Sequence, residues 1–244
     1  MPFFTTGSPE DGDFRQIYYE INGQGFPVLL FAPGGMRSAI SFWENSPWNP
    51  IEAFRHQFMV IAMDQRNAGQ SVAPVAATDS WNTYTADHLA LLDYLGIDRC
   101  HVMGGCIGGP YCFGLMKMAP DRVAAAIIQQ TIGLDDNRNA FYDMFNGWAD
   151  EIAPVHPEAN DATWSRFREN MYGGEFLFNV DREFVQSCQI PMLVMLGSDL
   201  YHPESISREL ADLAPDSRLV EDWKSAPTQT ANLARAFLEQ HTYT

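Results

Sequence analysis

Apolar and polar positions alternate from Phe14 to Ile21, which predicts a strand, and the turn signal Asn22-Gly23-Gln24-Gly25 closes it. Later apolar runs do not alternate: Pro27–Ala32, Phe58–Met63, Val123–Gln129 and Pro191–Leu196 are nearly continuous, as in strands covered on both faces. Cys100–Met103 is a shorter run of the same kind, and Leu219-Val220 marks a last short strand. Leu89, Leu92 and Leu95 repeat at helical spacing within Tyr84–Leu95, and Gly96 stops that helix. Further helices are expected over Pro110–Ala119, over Pro203–Ala214 and from about Pro227 to Gln240. Strands alternating with helices predict an α/β fold with a mostly parallel central sheet flanked by helices.

The alternation stops at 134–187, where Phe141, Phe145, Trp148, Trp164, Phe167 and Tyr172 stand among polar residues. This divides the chain into a core, 1–133 and 188–244, and a small helical cap insertion, 134–187. Packing within the cap accounts for most of these aromatics, and its inner face would line an apolar pocket.

Composition narrows the partners. The chain has 244 residues, 46% of them hydrophobic, with 31 acidic against 15 basic side chains and a net charge of −16. That balance argues against nucleic acid or an anionic membrane as partner; a small-molecule substrate is expected from the motifs described below. The four cysteines have neither disulfide-framework nor zinc spacing, and no N-terminal charged start leads into an apolar run. A reduced, cytoplasmic protein is expected. No metal-ligand spacing or nucleotide fingerprint occurs, so no cofactor is expected. Oligomeric state is open, a homodimer being among the alternatives.

Chemistry concentrates at Gly104-Gly105-Cys106-Ile107-Gly108, a cysteine held between glycines where a strand runs into a helix. The spacing is that of the G-x-S-x-G nucleophile elbow with sulfur in place of the hydroxyl. A side chain projected from so sharp a turn needs small residues two before and two after it. The helix N-terminus behind it would lower the thiol pKa. A buried structural cysteine in a glycine-rich turn is the bland alternative. Asp64-Gln65-Arg66-Asn67-Ala68-Gly69-Gln70-Ser71, Leu196-Gly197-Ser198-Asp199 and Pro33-Gly34-Gly35 fall in order around the elbow. Together these motifs resemble the α/β-hydrolase family over nearly the whole chain. Asn67 stands where a glycine is usual and Pro33 where a histidine is usual. The cysteine at the elbow is similar to that of the dienelactone hydrolases within the family.

The resemblance implies Cys106 as nucleophile and an oxyanion hole from the amides of Ile107 and Gly35. It also implies an acid near Asp199, with Asp135 as competitor, and a histidine after the last strand. There the chain reads Val220-Glu221-Asp222-Trp223-Lys224-Ser225, with no histidine. Of the six histidines, His88 and His101 fall within elements, His56 lies at the far sheet end, His156 on the insertion surface and His241 near the C-terminus. His202 remains, three residues beyond Asp199, either as the base or as a helix cap. Met36, Trp43, Tyr201 and Trp148 are candidate substrate-binding walls. Arg37 is expected to reach solvent and Arg66 to brace the turn at Asp64. Three functions stay open: a thiol-dependent hydrolase of a small, largely apolar ester, lactone, thioester or carbonyl-adjacent C–C bond; a lyase or isomerase on the same fold; or a ligand-binding protein without turnover.

Overall fold

The continuous apolar runs become the middle of a sheet because both of their faces are covered. The computed structural model describes residues 3–8, 10 and 12–242. Its strands are β1 (Phe3–Thr6), β2 (Arg15–Asn22), β3 (Phe26–Phe31), β4 (Phe58–Met63), β5 (Cys100–Gly105), β6 (Val123–Gln129), β7 (Met192–Met195) and β8 (Ser217–Val220). Every residue of β5, β6 and β7 is buried. In the sheet the strands stand in the order β1-β2-β4-β3-β5-β6-β7-β8. β1 and β2 pair antiparallel with their neighbours, and the remaining pairs are parallel. β1 has no counterpart in the sequence reading; four residues with only Phe4 buried give no usable alternation.

The helices are α1 (Pro50–Phe54), α2 (Trp81–Tyr94), α3 (Gly108–Met118), α4 (Arg138–Ile152), α5 (Asp161–Tyr172), α6 (Arg182–Ser187), α7 (Glu204–Leu213) and α8 (Pro227–Gln240). They bury two apolar clusters against the sheet. One joins α2, α3 and the helices between β6 and β7; the other joins α1 and α8. α4, α5 and α6 all fall within 134–187, and the first turn of α4 approaches the loops that follow the parallel strands.

The acidic turn after β4 folds around one carboxylate. Asp64 accepts the amides of Ile40 and Gln70, each at 2.8 Å. A Cβ at Gly69, whose φ is 55°, would lie 2.1 Å from that carboxylate, so only glycine fits. Asn67 takes φ 56° in place of the usual glycine, a conformation that asparagine tolerates, and its Oδ1 accepts the Ala73 amide. Arg66 does not brace Asp64. It is buried and pairs with Asp87 at 2.8 Å and Asp79 at 3.2 Å, because a guanidinium taken out of water needs carboxylates on more than one edge.

Candidate active site

Cys106 sits between β5 and α3 with φ 58°, a left-handed conformation that is costly for a residue with a side chain, about 1–3 kcal/mol. The surrounding glycines make that turn sterically possible. A Cβ at Gly104 would lie 2.0 Å from the Gly108 carbonyl oxygen, and one at Gly108 would lie 2.4 Å from that of Phe31. The Cys106 amide donates to Gln129 O, and its carbonyl accepts from Gly109 and Ile132. Backbone bonds on three sides therefore hold the strained residue. The strand runs on to Gly105 and the helix begins at Gly108, both tighter to the cysteine than periodicity predicts.

Facing the sulfur is His202. Its Nδ1 lies 2.7 and 2.9 Å from the two carboxylate oxygens of Asp199, three residues earlier in the same turn. Asp199 also accepts the amides of Tyr201 and His202 at Oδ1. Nε2 is buried and makes no hydrogen bond of strict geometry, yet ring and sulfur are close enough to shift each other's titration. Burial pushes the Cys106 thiol up. The nearness and charge of the His202 ring, helped by the amides of Gly34 and Ile107, outweigh it and leave the thiol below its ordinary pKa. Burial pulls His202 down, but Cys106 first and Asp199 second raise it to about 9. Asp199 is raised by burial and lowered more by His202 and the two turn amides. All three shifts favour a thiolate beside an imidazolium.

The pair opens into a cavity of about 240 Å³ whose walls are Gly34, Gly35, Ile107, Ile132, Phe141, Met144, Tyr172 and Tyr201. No charged side chain lines it apart from the pair itself. Tyr201 is the expected wall that the structure brings there. Three others are not part of it. Met36 is fully buried behind Tyr172, whose hydroxyl donates to its sulfur. Trp43 belongs to the apolar cluster on the opposite sheet face, where its ring covers Gly105. Trp148 points along α4 to a separate depression and donates to Asn67 O. α4 explains the exchange, since Phe141 and Met144 share a face one turn nearer the elbow than Trp148. Gly34 and Gly35 both line the cavity beside Cys106, and the Gly34 amide acts on the sulfur together with that of Ile107.

The competing groups are engaged elsewhere. Asp135 accepts from Ser205 rather than from an imidazole. His88 bonds Gln65 and is held down to about 3 by burial and the Arg66 charge. His101 bonds Thr242. His156 is half-buried, not on the surface, and bonds Glu158. Arg37 reaches solvent as expected, its side chain 39% exposed, and pairs there with Glu151 of α4 at 2.6 Å. After β8, where the resemblance places a histidine, Trp223 is buried and its indole donates to Leu196 O. Among the described residues no group of three or more His, Cys, Asp or Glu could hold a metal ion. Among the same residues no helix is long and apolar enough to cross a membrane.

Known proteins place this architecture. Residues 27–175 match the family model described as alpha/beta hydrolase fold, and the chain belongs to that family. A relative named "Putative carbamate hydrolase RutD" from Azorhizobium caulinodans is 34% identical over 120 residues, 48% of this chain and 42% of that protein. A namesake from Variovorax paradoxus is 29% identical over 112 residues, 46% of this chain and 41% of its own. The matched stretch thus spans less than half the length of these curated relatives. Among solved structures, Rv0554 from Mycobacterium tuberculosis superposes with a TM-score of 0.72 at 21% identity, covering 99% of this chain and 100% of its own. An enol-lactonase from Burkholderia xenovorans superposes at 0.67 with 20% identity, covering 92% and 97%. At such identity the superpositions speak for the fold.

Proposed function

We propose that this protein is a cysteine-dependent acyl hydrolase acting on a small, uncharged ester, lactone, thioester, carbamate or carbonyl-adjacent C–C bond. The observation that carries the reading is a strained elbow cysteine facing an imidazole whose far nitrogen is held by a carboxylate, at the floor of an apolar cavity. In this reading the Cys106 thiolate attacks the acyl carbon. The resulting oxyanion is received by the Ile107 amide and the Gly34–Gly35 turn, where one donor is typically worth about 3 kcal/mol. His202 gives its proton to the leaving group as the tetrahedral intermediate collapses, leaving a thioester on Cys106. It then takes a proton from water, which attacks that thioester and releases the acid. Asp199 keeps Nδ1 protonated and the ring turned toward the sulfur. The helices of 134–187 act as a cap, giving the cavity Phe141, Met144 and Tyr172.

Size and lining restrict the substrate. A cavity of about 240 Å³ lies just below the range of drug-sized ligand sites, typically about 300 to 1,000 Å³. A charged acyl group would lose its hydration there without a partner. The printed names of the relatives, carbamate hydrolase and enol-lactonase, share acyl transfer to water and support the same class. The lyase reading drew on the missing histidine after β8, and an imidazole beside the sulfur supports the hydrolase reading over it. The test is mass spectrometry after incubation with p-nitrophenyl acetate. An acetyl adduct on Cys106 that decays with turnover is expected and should be lost in Cys106→Ala; turnover surviving that substitution would sink the proposal.

A further inference from the structure

We propose that Asn137 is a positioning residue for this site, fixing the turn that carries His202 to the first turn of α4. The proposal rests on the reading of Cys106 and His202 given above. Asn137 is almost wholly buried and uses its side chain three times. Its Nδ2 donates to Leu200 O at 2.7 Å and to Gly133 O at 3.1 Å, and its Oδ1 accepts the Asp135 amide at 2.9 Å. Leu200 is the residue next to Asp199, inside the turn that ends at His202.

Two features show that this side chain serves the turn rather than its own helix. Asn137 occupies the N-cap of α4, where an asparagine oxygen normally accepts an amide from the helix's first turn, yet it makes no such bond. Its oxygen faces backward to Asp135 instead. The Leu200 side chain is exposed and anchors nothing, so the outer edge of the turn is tied through its carbonyl. The inner edge touches the same helix turn through the rings of Tyr201 and Phe141, whose centroids are 5.5 Å apart. Ser207 and Trp223 hold only the approach, at Gly197 and Leu196. α4 also carries two walls of the cavity, Phe141 and Met144. A substrate pressing on those walls therefore bears on the element that sets the imidazole against the sulfur.

Alkylation of Cys106 by iodoacetamide, followed across pH, reads that placement without knowledge of the substrate. In the wild type the midpoint is expected below that of an ordinary thiol, and His202→Ala should move it up. Asn137→Asp keeps the size and the acceptor for the Asp135 amide but removes the donations to Leu200 O and Gly133 O. We expect it to move the midpoint upward in the same direction. Turnover of p-nitrophenyl acetate should fall about 10- to 100-fold in kcat, with KM nearly unchanged, as for a misplacement of about 1 Å. Ser205→Ala, which cuts the neighbouring tie to Asp135, should leave the midpoint where it was. An unmoved midpoint in Asn137→Asp beside a moved one in His202→Ala overturns the positioning role alone. An equal shift in Ser205→Ala also overturns it, by showing general loosening. An unmoved midpoint in His202→Ala overturns the catalytic reading beneath it. Should Asn137→Asp fail to fold, the wild type still decides: its Asn137 side-chain amide protons must exchange slowly with solvent by NMR, and fast exchange ends the proposal.

Discussion

The turn that carries Cys106 and the turn that carries His202 meet at the floor of the cavity, and they are built in different ways. The first is fixed by backbone. Gly104 and Gly108 close onto carbonyl oxygens at distances no Cβ could share, and main-chain bonds to Gln129, Gly109 and Ile132 hold the left-handed cysteine. The second closes on itself through reciprocal backbone bonds between Asp199 and His202, but its place in the molecule is fixed by side chains lent from elsewhere. Ser207 on α7, Trp223 after β8 and Asn137 at the head of α4 each hold one backbone group of residues 196–200. In the proposed reaction the nucleophile is thus held by its own main chain, whereas the base rides on a turn that depends on outside ties.

The largest expected effect falls on the second turn. His202→Ala should cut turnover of an activated ester by about 10²- to 10⁴-fold, the usual range for a general acid–base, while folding survives because the ring is replaced without loss of a backbone tie. Equal kcat values for the variant and the wild type would remove His202 from the reaction. On the first turn the effect is on folding. Gly104→Ala puts a methyl 2.0 Å from a backbone oxygen that cannot swing away. A loss of about 3 kcal/mol or more is expected from urea unfolding, at the upper end of overpacking costs. A loss below about 1 kcal/mol would mean that the elbow is not the tight contact described.

That contrast also explains what the sequence discloses. Glycine spacing is a local signal, so the elbow, the Asp64 turn with Gly69 and the parallel strands were legible from residue order. Their ends were less so: β5 continues through two glycines that strand propensity disfavours, and α3 starts on two glycines. The cavity walls were the weakest part. Trp43 and Trp148 are large aromatics near the right motifs, but one packs on the far sheet face and the other one helix turn too distant. Ile132 and Met144 carry no chemical signature, and Phe141 stands undistinguished among the aromatics of 134–187. The i, i+3 spacing of Phe141 and Met144 on the first helix after β6 is the cue that would have found two of them. Asn137 was invisible because its partner, Leu200, lies 63 residues away and contributes only a carbonyl.

A smaller effect separates the two members of the Asp199–His202 turn. Asp199 is about half exposed at its side chain, so water can replace part of what it gives the imidazole. Asp199→Asn should therefore lower kcat less than His202→Ala does, about 10- to 100-fold, and should shift the alkylation midpoint of Cys106 upward by less. If the two substitutions cost the same, the carboxylate is doing more than orienting the ring.

The smallest effect is thermodynamic and tests the pairing itself. His202 is raised to about 9, so its share of stability is complete below its ordinary value of 6.5 and is lost as pH rises through about 9. Cys106 is lowered, so its share is complete above its ordinary value of 9.0 and is lost as pH falls through the lowered value. The two contributions overlap in the window between the lowered thiol pKa and about 9, and only there are both charges present. Cys106→Ala removes the larger of the two causes that raise His202, so it should sacrifice stability mainly inside that window. Urea unfolding of wild type and variant at several pH values should give a difference that is greatest from neutral to mildly alkaline pH and narrows on either side. A difference independent of pH would mean that sulfur and imidazole do not share a proton, and the elbow and the turn would then be neighbours without being partners.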